Sequence, residues 1–299
     1  MDCRAERPAA IGSGPSRFEP TPWLNLFGAV YGLDLGGVRL PLLHRLLLAR
    51  MGYLGITSWD EYYAYVVSGG ADGARETDRL LESLVNRRTE FFRHRPSFEA
   101  LRSEVLPRLM ELKRSKDERQ LALWSAGCAT GEEAYSLAIV ALELCGPEPW
   151  RVSVLGSDIN SCALEVARAG HYALRPETVA GFPGGGRLLR HAGGTRFQVR
   201  REARDVVRFT QANLCRPDHR WPAQQDVIFC HNVLIHVRPR LRPIIVADLY
   251  RRLARGGFLC FAPGEVLDLH EPDAVPVRLG DTVMFRRALR NGEGRRTDA

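Results

Sequence analysis

Residues 121–142 read LALWSAGCATGEEAYSLAIVAL, and this stretch determines the fold that the sequence predicts. Its apolar start, LALW, is typical of a buried strand, and the small residues from Ser125 to Gly131 predict a tight loop. From Glu132 onward, apolar residues recur at helical spacing, which predicts a helix. The stretch therefore predicts a strand, a loop and a helix, with two carboxylates, Glu132 and Glu133, at the helix N-terminus.

Further strands and helices alternate along the rest of the chain. A predicted strand over 151–158 precedes a helix, and a buried strand over 226–237 precedes a helix over 239–253. This alternation indicates an α/β fold with a mostly parallel sheet and right-handed crossovers. Residues 196–214 alternate in polarity, which predicts a small antiparallel insertion, and residues 275–288 predict a hairpin around Gly280 and Asp281.

The residues before this region have a helical pattern that begins at Trp23. Residues 86–98 read NRRTEFFRHRPSF and predict an arginine-rich loop, which a helix and a charged linker follow. We therefore expect a disordered tail over 1–21, a helical domain over 22–86, a linker loop and helix over 87–120, an α/β domain over 121–290 with a β-subdomain at about 172–212, and a disordered tail over 291–299.

Composition limits the class of protein. The chain has 299 residues and a formal net charge of +7, and its only lysines are Lys113 and Lys116. Such a surface favours an acidic partner, although a solvated arginine-rich surface is the simpler interpretation. The seven cysteines include no CxxC pair, so we expect free thiols and no metal site. No apolar run has the length of a membrane span or signal peptide, which favours a cytoplasmic protein.

Three predicted strand ends carry polar residues, and open α/β sheets bind ligands at such ends. The first is the loop from Gly127 to Glu132, whose small residues would let a ligand approach the backbone. No lysine of a phosphate-binding loop is present, and Glu132 and Glu133 would repel a pyrophosphate, which favours a neutral or cationic ligand. The alternative is that either carboxylate only complements the helix macrodipole.

The other two strand ends carry Asp158 and the tripeptide Cys-His-Asn at 230–232. Asp158 could accept both ribose hydroxyls of a nucleoside, or it could be a helix N-cap. Polar groups at the end of an apolar strand need partners, and His236 is either a metal ligand, a base or a structural histidine. Together the three ends favour an adenosine ligand without phosphates, such as S-adenosylmethionine.

Two motifs carry a family resemblance: TEFFR at 89–93 and WSAGCATGEEAYSLA at 124–138. With them, the chain from about Trp23 to about Arg287 resembles the CheR-type protein-glutamate O-methyltransferases of bacterial chemotaxis. The resemblance implies a helical N-terminal domain and a Rossmann-like methyltransferase domain with a mixed, mostly parallel sheet and a small inserted antiparallel β-subdomain. It implies transfer of a methyl group from S-adenosylmethionine to glutamates of a receptor.

The resemblance also implies the site. Glu132 would bind the amino-acid end of S-adenosylmethionine, Asp158 the ribose, and Asn213 and Leu214 the adenine. The residues expected at the cofactor are Arg87, Thr89, Arg93, Glu132, Asp158, Asn213, Leu214, Cys230, His231 and Asn232, and those expected to act on the substrate are Arg93 and His236. The expected partner is the cytoplasmic part of a chemoreceptor or a receptor-like protein. We expect a monomer that binds no DNA and does not insert into a membrane.

The sequence departs from the family pattern at four places, which lie around the substrate side of the expected site. Arg87 stands where the family commonly has asparagine, His231 where it has arginine, His236 where it has tyrosine, and residues 262–265, APGE, where it has GHSE. The departures leave open a catalytically degenerate CheR-like module that binds cofactor or partner without methylating it. The arginines leave open a methyltransferase that acts on RNA or on a small molecule.

Overall fold

The computed structural model describes residues 17–35, 39–84, 89–174, 179, 181, 185–216, 221–222, 224–266 and 269–289. The chain divides into two compact units, Met1–Val30 with Leu35–Leu84, and Tyr31–Asp34 with Val85–Ala299. Most of the two predicted tails, and Arg87, lie outside the described residues. Residues 20 and 21, in the tail that we expected to be disordered, begin a helix.

The first unit is helical, as the sequence predicts. Its helices are α1 (Pro20–Leu24), which continues as a π-helical turn over Asn25–Val30, α2 (Arg39–Leu54), α3 (Trp59–Val67) and α4 (Ala71–Leu84). The side chain of Ser58 accepts a hydrogen bond from the backbone of Glu61, which caps α3. The apolar faces of the helices bury Trp23, Leu43, Leu47, Tyr62 and Leu80.

A buried carboxylate connects three helices of this unit. Glu76 of α4 is fully buried, and Arg50 of α2 donates to both of its oxygens at 2.8 and 2.7 Å. The hydroxyl of Tyr62 in α3 donates to Oε1 at 2.8 Å. Burial alone would raise the pKa of Glu76, but the hydrogen bonds from Arg50 and Tyr62 outweigh it and lower the pKa.

The second unit contains a seven-stranded sheet and a three-stranded sheet. Its strands are β1 (Gln120–Ala126), β2 (Arg151–Asp158), β3 (His171–Ala173), β4 (Leu189–His191), β5 (Arg196–Val199), β6 (Val207–Gln211), β7 (Gln225–Cys230), β8 (Leu253–Phe261), β9 (Ala274–Leu279) and β10 (Thr282–Arg287). Its described helices are α5 (Arg95–Ala100), which leads through a π-helical turn at Leu101–Val105 into α6 (Leu106–Arg114), then α7 (Glu132–Cys145), α8 (Ser161–Ala169), α9 (Gly185–Leu188), α10 (Arg201–Val206) and α11 (Arg242–Arg251).

The large sheet has the strand order β6-β2-β1-β7-β8-β10-β9. The first five of these strands run parallel, and β10 pairs antiparallel with both β8 and β9. The structure thus confirms the mostly parallel α/β sheet and the hairpin at Gly280 and Asp281. Alternate residues of β1 face two separate cores, Leu121 and Leu123 on one side and Trp124 and Ala126 on the other.

The antiparallel insertion differs in extent from the prediction over 196–214. The small sheet consists of β3, β5 and β4, so only Arg196–Val199 of that stretch belongs to it. Residues Arg201–Val206 form a helix, and Val207–Gln211 pair in parallel with β2 as an edge strand of the large sheet. Polarity alternates along any half-exposed strand, so the pattern did not reveal which sheet the strand joins.

Among the helices that the structure describes, none combines the length and the apolar character that a membrane span requires.

Candidate functional site

A pocket of about 1060 Å³, including space open to solvent, lies at the carboxyl ends of the parallel strands. The loops that follow β1, β2, β6 and β7 form it, as expected for an open α/β sheet. Its walls include eight of the residues proposed from the sequence, namely Thr89, Arg93, Asp158, Asn213, Leu214, His231, Asn232 and His236. The pocket therefore brings together residues from four predicted strand or loop segments.

The loop after β1 turns sharply at Gly127, which packs closely against the loop after β7. Gly127 has a φ of +88°, and a Cβ at this position would lie 2.3 Å from Cγ2 of Val233. Its backbone N–H donates to the carbonyl of Ser157, as does that of Cys128. We expected small residues here for a ligand's approach, and at Gly127 the structure shows a second reason, the contact with Val233 in the loop after β7.

Asp158 ends β2 and joins two loops of the pocket. Its Oδ2 accepts a hydrogen bond from the backbone of Ala129 at 2.8 Å, and its Oδ1 accepts one from Asn160 at 2.9 Å. Burial raises the pKa of Asp158, and the backbone N–H groups that bind it oppose this rise. Each carboxylate oxygen can accept a second hydrogen bond, so the group can still bind hydroxyls of a ligand.

The two carboxylates that open α7 point to different surroundings. Glu133 lines the pocket, and its Oε1 accepts a hydrogen bond from Ser125 at 2.7 Å. Glu132 is buried outside the pocket wall, and the hydroxyl of Thr130 donates to its Oε2 at 2.6 Å. Burial raises the pKa of Glu132. The structure therefore places Glu133, rather than the proposed Glu132, in contact with the pocket.

His231 is buried beside Glu133 and forms an ion pair with it. Its Nδ1 lies 2.9 Å from Oε2 of Glu133, and its Nε2 lies 3.3 Å from Sγ of Cys260. Burial alone would lower the pKa of His231, but the Glu133 carboxylate, with Cys260, raises it to about 10. The charge of Glu133 is therefore balanced within the pocket wall by an ion pair, in which Nδ1 of His231 is close to the carboxylate without a well-aligned hydrogen bond.

The TEFFR loop forms another part of the wall. Thr89, Glu90 and Arg93 line the pocket, and the side chain of Arg93 is exposed. The backbone N–H of Phe92 donates to the hydroxyl of Ser136 in α7 at 3.0 Å, which fixes the loop to the helix. On the loop after β7, His236 is 8% exposed, and its carbonyl accepts a hydrogen bond from Asp34.

Among the proposed residues that the structure describes, two do not line the pocket, and a third proposed residue is not described. Cys230 is fully buried within the sheet, Glu132 has been described above, and Arg87 lies outside the described residues. Sequence reasoning missed Glu90, Tyr31 and several apolar or small wall residues. Glu90 lies within the quoted TEFFR motif, so the motif could have identified it as a wall residue, whereas no local pattern marks Tyr31.

The described residues contain no group of three or more histidine, cysteine, aspartate or glutamate side chains able to hold a metal ion.

Residues 87–283 match the family model described as CheR methyltransferase, SAM binding domain. The chain is 31% identical to a probable chemotaxis protein methyltransferase of Rhizobium etli, over 78% of this chain and 87% of that one. It is also 31% identical to the chemotaxis protein methyltransferase of Escherichia coli, over 69% of each chain. It is 29% identical to the probable biofilm formation methyltransferase WspC of Pseudomonas aeruginosa, over 90% of this chain and 62% of that one.

Proposed function

Because the chain belongs to the CheR methyltransferase family, we propose that it methylates glutamate side chains of a chemoreceptor or a related signalling protein, giving glutamate methyl esters. The family makes it a methyltransferase that uses S-adenosylmethionine. The observation that best supports the finer assignment is the joint placement of Arg93 and His236 beside Asp158 in one pocket. Asp158, which would bind the cofactor, and Arg93, which would face the substrate, thus line one cavity.

The pocket fits S-adenosylmethionine by the chemistry of its walls. Asp158 would accept hydrogen bonds from the ribose hydroxyls, and Asn213 and Leu214 would line the adenine site. Glu133, held by Ser125 and His231, would face the ammonium group of the amino-acid end. A sulfonium and an ammonium are cationic, so a pocket lined by three carboxylates, Glu90, Glu133 and Asp158, suits them better than it suits a phosphate. When bound, this cofactor supplies an electrophilic methyl group.

The residues of this chain need to position the substrate more than they need to activate it. A glutamate side chain is ionised at neutral pH and is already a nucleophile, so the reaction requires no general base. The exposed guanidinium of Arg93 would orient the incoming carboxylate with its planar set of donors. His236 would add a hydrogen bond from the opposite loop. Alignment of this kind can lower a barrier by about 7–11 kcal/mol at best.

The direct test is transfer of a labelled methyl group. The protein is incubated with methyl-labelled S-adenosylmethionine and the cytoplasmic part of a candidate receptor, and base treatment then releases volatile methanol from any methyl ester. We expect methanol release that Arg93→Ala lowers by about tenfold or more, since removal of a charged hydrogen-bond donor typically costs that much. Arg95→Ala, an exposed neighbour outside the pocket, is the control and should keep the wild-type rate.

The same assay separates the proposal from the alternative. Release at background level with every receptor of the source organism, from a protein that binds S-adenosylhomocysteine tightly in calorimetry, would contradict the enzymatic assignment. That result would support a CheR-like module that binds cofactor or partner without methylating it. Restoring the family residues with His231→Arg and His236→Tyr should change an active enzyme little, whereas a large gain from near zero would indicate degeneration.

A further inference from the structure

Asn232 occupies an unusual backbone conformation at the pocket wall. It follows β7, lines the pocket and has a φ of +59°, in the left-handed region. Asparagine adopts this region more readily than most residues other than glycine, and contacts from its surroundings favour it here. Two side chains from other parts of the second unit make such contacts, one with the backbone of Asn232 and one with its amide.

The contact with the backbone comes from Glu265, in the turn after β8. Its Oε2 accepts hydrogen bonds from the backbone N–H groups of Asn232 at 2.8 Å and Ala262 at 3.2 Å. Its Oε1 accepts one from Ile235 at 3.3 Å. A single carboxylate therefore binds the loop after β7 to the turn after β8. Hydrogen bonds to a charged group are stronger than neutral ones, so the Glu265 carboxylate can hold the backbone conformation of Asn232.

The contact with the amide comes from His94, which follows Arg93 in the loop before α5. Nε2 of His94 lies 2.8 Å from Oδ1 of Asn232. Since an amide oxygen can only accept, Nε2 must carry the proton. The His94 ring also packs edge-on against the ring of His231, with the centroids 4.8 Å apart. The bond thus ties the loop that carries Thr89 and Arg93 to the loop that carries Asn232.

We propose that Glu265 and His94 are positioning residues, which together hold Asn232 so that its Nδ2 group donates to a carboxylate in the pocket. Oδ1 is occupied by His94, so the two N–H donors of the amide remain for a ligand at the wall that Asn232 lines. The inference rests on the proposed function. The carboxylate belongs either to the amino-acid end of the cofactor or to the substrate glutamate, and the experiment below distinguishes these sources.

The test of His94 compares a conservative variant with a disruptive one. His94→Gln keeps an N–H donor for Oδ1 of Asn232, whereas His94→Leu keeps bulk and removes the donor. We expect His94→Leu to lower kcat/KM for receptor methylation by about tenfold and His94→Gln to stay within about threefold of wild type.

Binding measurements then identify the carboxylate. One outcome is that His94→Leu weakens the binding of S-adenosylhomocysteine but not that of 5′-methylthioadenosine, which lacks the amino-acid end. In that case Asn232 binds the carboxylate at the amino-acid end of the cofactor. If both bind as in wild type and KM for the receptor rises, the substrate carboxylate is the ligand. Equal behaviour of His94→Leu and His94→Gln in all of these measurements would overturn the role of His94.

The role of Glu265 is tested by hydrogen exchange of the backbone amides that it binds. Glu265→Gln replaces one accepting oxygen with an NH₂ group that faces backbone donors, so the amides of Asn232 and Ile235 should exchange with deuterium faster. Glu99→Gln, an exposed glutamate in α5, is the matched control and should leave this exchange unchanged. Unchanged exchange in Glu265→Gln would overturn its role. Exchange and S-adenosylhomocysteine binding need no turnover, so they test this inference even if the wild-type protein methylates no receptor.

Discussion

At the scale of single residues, the two carboxylates that open α7 should respond differently to loss of charge. Glu133 lines the pocket, whereas Glu132 is buried against Thr130. We expect Glu133→Gln to weaken S-adenosylhomocysteine binding by about tenfold, because a bond from an ammonium to a carboxylate is lost. Glu132→Gln, measured by the same calorimetry, should stay within about threefold, since its amide oxygen can still accept from Thr130. A larger loss in Glu132→Gln would instead support the cofactor role that the family resemblance implies for Glu132.

The His231–Glu133 pair should also make stability depend on pH. The pKa of His231 is raised from 6.5 to about 10, so its stabilising contribution is fully present below pH 6.5. As pH rises further, the unfolded chain loses this proton first, and stability falls by up to about 1.4 kcal/mol per pH unit. The contribution is lost once pH passes the folded pKa.

Urea unfolding of wild type and Glu133→Gln at several pH values isolates this effect. Without the carboxylate, the pKa of His231 should return toward its ordinary value, so the stability of the variant should depend less on pH. The difference in unfolding free energy between the two proteins should therefore shrink as pH rises. A difference that stays constant from neutral to alkaline pH would show that His231 is not held as a cation.

At the scale of elements, the three helices of the first unit should depend on Glu76. Glu76→Ala leaves Arg50 and Tyr62 without their shared partner inside the unit, which typically costs about 3–5 kcal/mol. Asp72→Ala is the matched control, because it removes an exposed ion pair with Arg75 on the same helix and should cost less than about 1 kcal/mol. Thermal unfolding of both variants measures the contrast, and similar losses would contradict a structural role for the buried network.

The loop between β1 and α7 gives a second test at this scale. Gly127 and Gly146 both have positive φ values, but a Cβ at Gly127 would meet Val233 at 2.3 Å, whereas one at Gly146 would have no atom within 4 Å. Both alanine variants incur backbone strain of about 1–3 kcal/mol, and only Gly127→Ala adds the clash. We therefore expect a lower Tm for Gly127→Ala than for Gly146→Ala. Val233→Ala should recover part of the difference in the double variant.

Local patterns were sufficient for most elements, but not for the edge strand Val207–Gln211, and they were less informative about the site. The strand, loop and helix over 121–142 and the hairpin at Gly280 follow directly from periodicity and turn residues. The pattern could not decide between Glu132 and Glu133, because adjacent helix residues differ by about 100° in direction and the starting angle depends on the turn at Gly131. The roles proposed for Glu265 and His94 depend on contacts between distant segments, which no local pattern contains.

At the scale of the whole molecule, the net charge of +7 should assist encounter with an acidic substrate. We expect kcat/KM for the receptor to fall as salt rises from about 0.1 M to about 1 M, where the Debye length shrinks from about 10 to about 3 Å. The value of kcat should change little, because the charges act on association. A kcat/KM that is independent of salt would argue against steering by the arginine-rich surface.

The strand order also has a consequence for the sequence of events during folding. Leu123 of the central strand pairs with Val154 on one side and with the much more distant Val227 on the other. Short loops close at a lower entropic cost than long ones, so the β1–β2 pairing should form first. A refolding chain would then build the side of the cavity that carries Asp158 before the side that carries Asn232 and His236.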